Sequence, residues 1–277
     1  MQTSIKGFDL SIEMDDFTLS YDDIGEGTIP IIFLHGFPFT KAMWSGQLNF
    51  LSTTHRVIAC DIRGFGRTTD VDAHLSIDMF SDDVIAFMDA LDIDRAIICG
   101  LSMGGFIALN LVKQHPERFT ALMLCNTQCI ADTAEVKADR YVTIDVIKAN
   151  GAAAFNEKFV HSVFHADSLA NKKPLFEKLR SVVFANADHA ITRGLIALGE
   201  RSETCTTLHD IAIPTLIIGG RADVVTPLVQ SEFMHQHITG SVLRVIEEAG
   251  HVSNLEQPDE FNGYVRDFLS SLVTCHS

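Results

Sequence analysis

Basic residues are scarce in this chain: 21 Lys and Arg stand against 36 Asp and Glu, a net charge of −15. Nucleic acid and anionic membrane surfaces are therefore not expected as partners, since both repel an acidic surface. No stretch approaches the roughly 18 consecutive apolar residues that span a bilayer. The opening MQTSIKGFDLSIEMDD lacks the basic and apolar regions of a signal peptide. HExxH and CxxC are both missing, and no GxGxxG follows a strand, so neither a metal nor a nucleotide cofactor is expected. The glycines of RGFGRT, after Asp61, read as a turn and not as a phosphate cradle. The six cysteines (Cys60, Cys99, Cys125, Cys129, Cys205 and Cys275) show no disulfide-framework spacing, and three of them end apolar runs. Reduced core thiols in a cytoplasmic protein are the expectation.

What is present is an alternation. Short apolar runs at Ile31–Leu34, Val57–Cys60, Ala96–Cys99, Ala121–Cys125, Thr215–Ile218 and Val242–Ile246 are separated by segments of helical period. Strands apolar on both faces belong to a parallel sheet covered by helices, so the fold class is α/β with a mostly parallel sheet. In Ser76–Ile93 the residues Ile77, Phe80, Val84, Phe87, Met88 and Leu91 make one stripe. Phe261, Tyr264, Val265, Phe268, Leu269 and Leu272 make another in the last helix. Phe8–Ile24 alternates and is acidic, as an edge hairpin would be.

From Ala131 to Ser202 helical segments continue with no strand, which predicts a helical cap (131–202) inserted after the sixth strand of a core made of 1–130 and 203–277. Asp132 or Thr133, with Glu135, is a helix start there, and Gly151 a stop. Ten Lys and Arg face eleven Asp and Glu over Ala131–Asp210. With Phe155, Phe159, Phe164, Phe176 and Phe184 on the segment, the inner face of the cap is expected to be apolar.

The chemistry centres on Ser102, in Gly-x-Ser-x-Gly directly after the strand Ala96–Cys99. Chance alone would produce that pattern only about 0.08 times in a chain of this composition. A tight strand-to-helix turn needs glycines where Cβ atoms would collide. It exposes the hydroxyl beside the N–H groups that open a helix, a setting for a nucleophile. A serine needs a base, and the base needs an acid to orient it. His251 follows the last strand and a glycine. Asp223 follows the strand Thr215–Ile218 and two glycines, and the order Ser102, Asp223, His251 suits strand-end loops. His189, His209, His235, His237 and His276 read as surface histidines. The backbone N–H groups of Phe37, after the strand Ile31–Leu34, and of Met103 are the expected oxyanion donors. His35 is expected to brace its loop and not to move protons.

FLHGFP, CDIRGFGRT, CGLSMGGFIAL, HPERF, GGRADVVTP and AGHVSNLEQPDEF together resemble the α/β-hydrolase fold over nearly the whole chain. LCNTQCIADTAEVKADR is similar to the branch of 3-oxoadipate enol-lactonases and related small esterases. The resemblance implies a cofactor-independent serine hydrolase that cleaves a small ester or lactone through an acyl-enzyme on Ser102, with Asp223 as acid and His251 as base. Relatives that dehalogenate or open epoxides carry Asp at the nucleophile position, so Ser102 argues against both. Carbon–carbon bond hydrolases and perhydrolases share such a triad, as do slow-turnover signalling proteins that keep it for ligand binding. Lys41, Arg63, Arg67, Arg140 and Arg221 are the cations that a carboxylate-bearing substrate would need, and neutral short-chain esters are expected to be preferred over anionic lactones.

Overall fold

A computed structural model describes residues 6–69 and 74–274; Cys275 and His276 lie outside them. Among the described residues one sheet has eight strands: β1 (Gly7–Glu13), β2 (Thr18–Ile24), β3 (Ile31–Leu34), β4 (Val57–Cys60), β5 (Ala96–Leu101), β6 (Phe119–Cys125), β7 (Thr215–Gly220) and β8 (Val242–Ile246). Their order is β1-β2-β4-β3-β5-β6-β7-β8. Only β1–β2 and β2–β4 pair antiparallel; the remaining pairs are parallel. The expected hairpin thus forms one edge. β8 forms the other, and there its burial alternates as an edge strand allows. β3, β4, β5 and β7 are buried along their whole length, which is why their sequences run apolar without alternating.

The helices are α1 (Ser45–Leu51), α2 (Ile77–Ala90), α3 (Met103–Gln114), α4 (Ala134–Asn150), α5 (Ala153–Ser162), α6 (Ala166–Asn171), α7 (Lys173–Phe184), α8 (Asp188–Glu200), α9 (Leu228–His237), α10 (Ser253–Glu256) and α11 (Pro258–Thr274). Two apolar clusters cover the two faces of the sheet, and successive strand residues go to opposite ones: Ile32 and Leu34 to one, Ile31 and Phe33 to the other. The α2 stripe lies in the first cluster and the α11 stripe in the second. The Ser76 side chain accepts the Met79 N–H at the start of α2.

Between β6 and β7 the chain forms α4 to α8 and, among the described residues, no strand. Thr133, not Asp132, caps α4 by accepting the Val136 N–H, and Gly151 ends it at φ 81°. Asp132 instead pairs with Arg140 and Arg201, the latter at 2.8 Å.

The cysteine expectation needs correction. Cys60, Cys99 and Cys125 are free and buried as read, but Cys129 and Cys205 form a disulfide. They flank the helical insertion, and the chain returns to within 4.8 Å (Cα–Cα) after 76 residues. Thr204 also donates its N–H to the Cys129 carbonyl at 2.8 Å. Proximity of this kind is made by the tertiary fold and has no signature in spacing, so the cysteines give no support to a reducing compartment. Among the described residues no helix is long and apolar enough to cross a membrane.

Candidate active site

β5 delivers Ser102 at φ 54° and ψ −115°, a strained conformation for a residue with a side chain, directly before α3. The surrounding glycines permit it. A Cβ on Gly100 would sit 2.1 Å from the Gly104 carbonyl oxygen. One on Gly104 would sit 2.2 Å from the Leu34 carbonyl, and one on Gly105 would meet the Thr127 side chain. The motif therefore closes the gap between α3, β3 and β6 around the serine.

Asp223 and His251 meet at the ends of β7 and β8. Gly220 lets the two loops touch, since a Cβ there would be 2.1 Å from the Gly250 carbonyl oxygen. Asp223 Oδ2 accepts from His251 Nδ1 at 2.8 Å, from Asn126 Nδ2 at 2.9 Å and from Thr226 Oγ1 at 2.8 Å. Its Oδ1 accepts the backbone N–H groups of Val225 (2.8 Å) and Thr226 (2.9 Å). Burial would raise the Asp223 carboxyl, but the His251 charge and hydrogen bond, with the Asn126 and Thr226 donors, outweigh it and bring the carboxyl down to about 2. A carboxyl depressed in the fold stabilises it fully above the ordinary carboxylate range, and that contribution is lost as pH falls toward 2. His251 Nε2 is buried and has no hydrogen-bond partner. With Nδ1–H donated to Asp223, Nε2 carries the lone pair.

Residues 125–127 tie these parts together. Ser102 N–H donates to the Cys125 carbonyl at 3.0 Å, Thr127 Oγ1 donates to the Ser102 carbonyl at 2.8 Å, and Asn126 Nδ2 also reaches the Gly250 carbonyl at 3.0 Å. Asn126 sits at φ 45°, and its Oδ1 accepts from Ser253 at 2.5 Å. Sequence reading missed Asn126, Thr127, Thr226 and Ser253. Their one signal was position just beyond a strand end, which many loop residues share.

Gly36, the residue before Phe37, packs against the elbow: a Cβ there would lie 3.2 Å from Ser102 Cβ. His35 is fully buried. Its Nε2 accepts the Ile62 N–H and its Nδ1 donates to the Gly36 carbonyl, both at 2.9 Å. Burial pushes this imidazole below its ordinary range, so it braces the loop as a neutral ring. The Phe37 ring lies among Phe65, Phe155 and Phe159, with centroids 5.8, 6.4 and 6.0 Å away. A Cβ on Gly194, in α8, would press 2.5 Å from that ring. Of the five phenylalanines in the insertion, Phe155 and Phe159 face Phe37. Phe164 packs on Phe176, and Phe184 lies under the Arg180 guanidinium.

All five expected cations are held by carboxylates: Lys41 by Asp9 and Asp22, Arg63 by Asp16 and Asp83, Arg67 by Asp9, Arg140 by Asp132, and Arg221 by Glu247. Asp61 accepts the backbone N–H groups of Lys41 and Arg67, and Gly66, at φ 59°, folds its loop against that carboxylate. RGFGRT is thus a turn built around Asp61.

Residues 29–258 match the profile of a family described as the alpha/beta hydrolase fold. A 3-oxoadipate enol-lactonase of Acinetobacter baylyi (enol-lactonase 1) is 32% identical over 268 residues, covering 92% of this chain and 94% of that protein. A second from the same organism (enol-lactonase 2) is 30% identical over 253 residues, covering 91% and 93%. Among solved structures, a thermophilic esterase from Thermogutta terrifontis superposes with a TM-score of 0.90 at 26% identity, covering 95% of this chain and 98% of that one. The enol-lactonase from Burkholderia xenovorans gives 0.88 at 27%, covering 94% and 100%.

Proposed function

The chain belongs to the α/β-hydrolase family, and from that premise we propose that it hydrolyses small, neutral carboxylic esters through an acyl-enzyme on Ser102. The observation that carries the reading is the buried Asp223–His251 pair, whose Nε2 has no hydrogen-bond partner, tied through Cys125 and Asn126 to the strained Ser102. His251 takes the Ser102 proton as the oxygen attacks the acyl carbon, then returns it to the leaving alcohol. Water, deprotonated by the same Nε2, releases the acid. The Phe37 and Met103 N–H groups hold the oxyanion, and α4 to α8 act as the cap over the site. The two enol-lactonase relatives support ester or lactone cleavage as the reaction class.

Two features favour a neutral, apolar substrate. The five cations are already neutralised, and a carboxylate buried without a cation is costly. Phe155 and Phe159 face Phe37 and also line a groove of about 450 Å³ with Val142, Val146 and Ile147, which Lys158 and Asn150 border as well. A butyrate ester is expected to exceed 3-oxoadipate enol-lactone in kcat/KM, and adding one CH₂ to the acyl chain should raise it several-fold until the site fills, at about 0.8 kcal/mol per group. The measurement is multiple-turnover kinetics on both compounds side by side. A tenfold preference for the lactone overturns the neutral-substrate reading; a single turnover followed by a stall overturns the enzyme.

The low Asp223 carboxyl makes a separate prediction. Being depressed to about 2, it stays ionised from pH 4 upward and takes up no proton of its own in acid inactivation there. A plot of log kcat/KM against pH should fall with unit slope on its acid side. A slope of two would mean that a second group titrates with the base.

A further inference from the structure

Glu256, the last residue of α10, is fully buried, and its carboxylate is held by backbone N–H groups. Oε1 accepts the Gly250 N–H at 2.7 Å and Oε2 the His165 N–H at 2.7 Å. Gly250 precedes His251 in the core, whereas His165 opens α6 in the cap. The same cap segment grips the histidine directly, because the Val163 carbonyl accepts the N–H groups of His251 (2.8 Å) and Val252 (3.3 Å). Contact is close enough that a Cβ on Gly250 would lie 2.8 Å from the Val163 oxygen and 2.9 Å from the His165 nitrogen. Lys172, at the start of α7, donates to the Glu256 carbonyl.

Two short charge-assisted hydrogen bonds to one buried carboxylate are strong and directional. Here they join chain segments that are 85 residues apart, 165 and 250. The peptide before His251 is held by Glu256 at its N–H, and the Gly250 carbonyl is held by Asn126. The His251 N–H goes to the cap. The backbone that aims the imidazole is therefore fixed partly by the cap, through a carboxylate that bonds to both.

We propose that Glu256 is a positioning residue that makes the placement of His251 depend on the seating of the cap. The proposal rests on the reading of His251 as the base. A cap that lifts releases the Val163 and His165 contacts together and leaves His251 out of line with Ser102. Only the seated cap then holds the backbone that aims the imidazole.

The test compares Glu256→Gln, His165→Pro and His165→Ala, with active sites counted by an organophosphonate that labels Ser102. Gln keeps the shape but sets an NH₂ against one of the two N–H donors. Pro removes the cap-side N–H and the imidazole and sets its ring Cδ against Glu256 Oε2, so it breaks this contact outright, and His165 already has φ −64°, the angle proline imposes. Ala keeps that N–H and controls for loss of the imidazole, which caps α6. A misplacement of about 1 Å costs on the order of 10²-fold in rate. The expectation is thus a kcat per labelled site lowered by about tenfold or more in Glu256→Gln and His165→Pro, KM within about threefold, and His165→Ala near wild type. A purely structural role would lower the labelled fraction or Tm and leave kcat per labelled site unchanged. Values within twofold of wild type in either of the first two variants overturn the proposal, and if Glu256→Gln does not fold, His165→Pro decides alone. Wild-type enzyme that labels at Ser102 and turns over keeps the function standing whatever the variants do; wild type that does neither overturns both.

Discussion

Ser102→Ala is expected to abolish ester hydrolysis, with kcat down by about six orders of magnitude, the scale seen when a triad nucleophile is removed. Folding should survive. The contacts that hold the elbow are made by the serine backbone: its N–H to the Cys125 carbonyl, and its carbonyl to Gly105, Phe106 and Thr127. Alanine keeps them all, so Tm should move by no more than about 3 °C, as for a change below 1 kcal/mol. An organophosphonate should add its mass at Ser102 of the wild type and nowhere on the variant. Activity above 1% of wild type in the alanine variant, or label on another serine, would remove Ser102 from the mechanism.

The second large effect is at Asp223. Asp223→Asn is expected to lower kcat by about 10⁴, through the histidine tautomer. Oδ1 faces two backbone N–H groups that cannot rotate away, those of Val225 and Thr226, so the amide oxygen must take that side. The NH₂ then faces His251 Nδ1, which can only accept, and the imidazole proton moves to Nε2, where the base needs a lone pair. The charge that steadies the imidazolium is lost as well. Thr226 Oγ1 can turn to accept from the new amide, which limits the stability cost. Steady-state kinetics on a butyrate ester test this. A variant within tenfold of wild type would refute the assignment of the acid, and Asp132 could not replace it, because Arg140 and Arg201 already hold that carboxylate.

Much of this was legible in the sequence because it is local. A buried parallel strand has no polar face to show, so β3 to β7 read as continuous apolar runs. Helix stripes follow from a 3.6-residue period. The elbow is one pentapeptide whose glycines are demanded by backbone contacts a few residues away, and strand-end loops mark Asp223 and His251 by position alone. These features depend on neighbours in the chain or on the uniform rule that ligands and reacting groups gather at the carboxyl ends of strands.

Tertiary structure decided the rest, and in each case the partners are far apart in the chain. Cys129 meets Cys205 only because the chain, after the five helices α4 to α8 between β6 and β7, returns to where it left β6. Asn126 becomes a further donor to Asp223 only because β6 and β7 are adjacent, with Cys125 level with Ile218. The five cations that the sequence offered to a charged substrate are held by Asp9, Asp16, Asp22, Asp83, Asp132 and Glu247, a pairing that an excess of acids makes frequent but that no spacing specifies. Glu256 reads as one more acid in a polar stretch until the fold buries it between Gly250 and His165. Hydrophobic period and turn chemistry determine where elements begin and end. Which polar groups face each other across the fold depends on how those elements stack, and a single chain carries no local record of that.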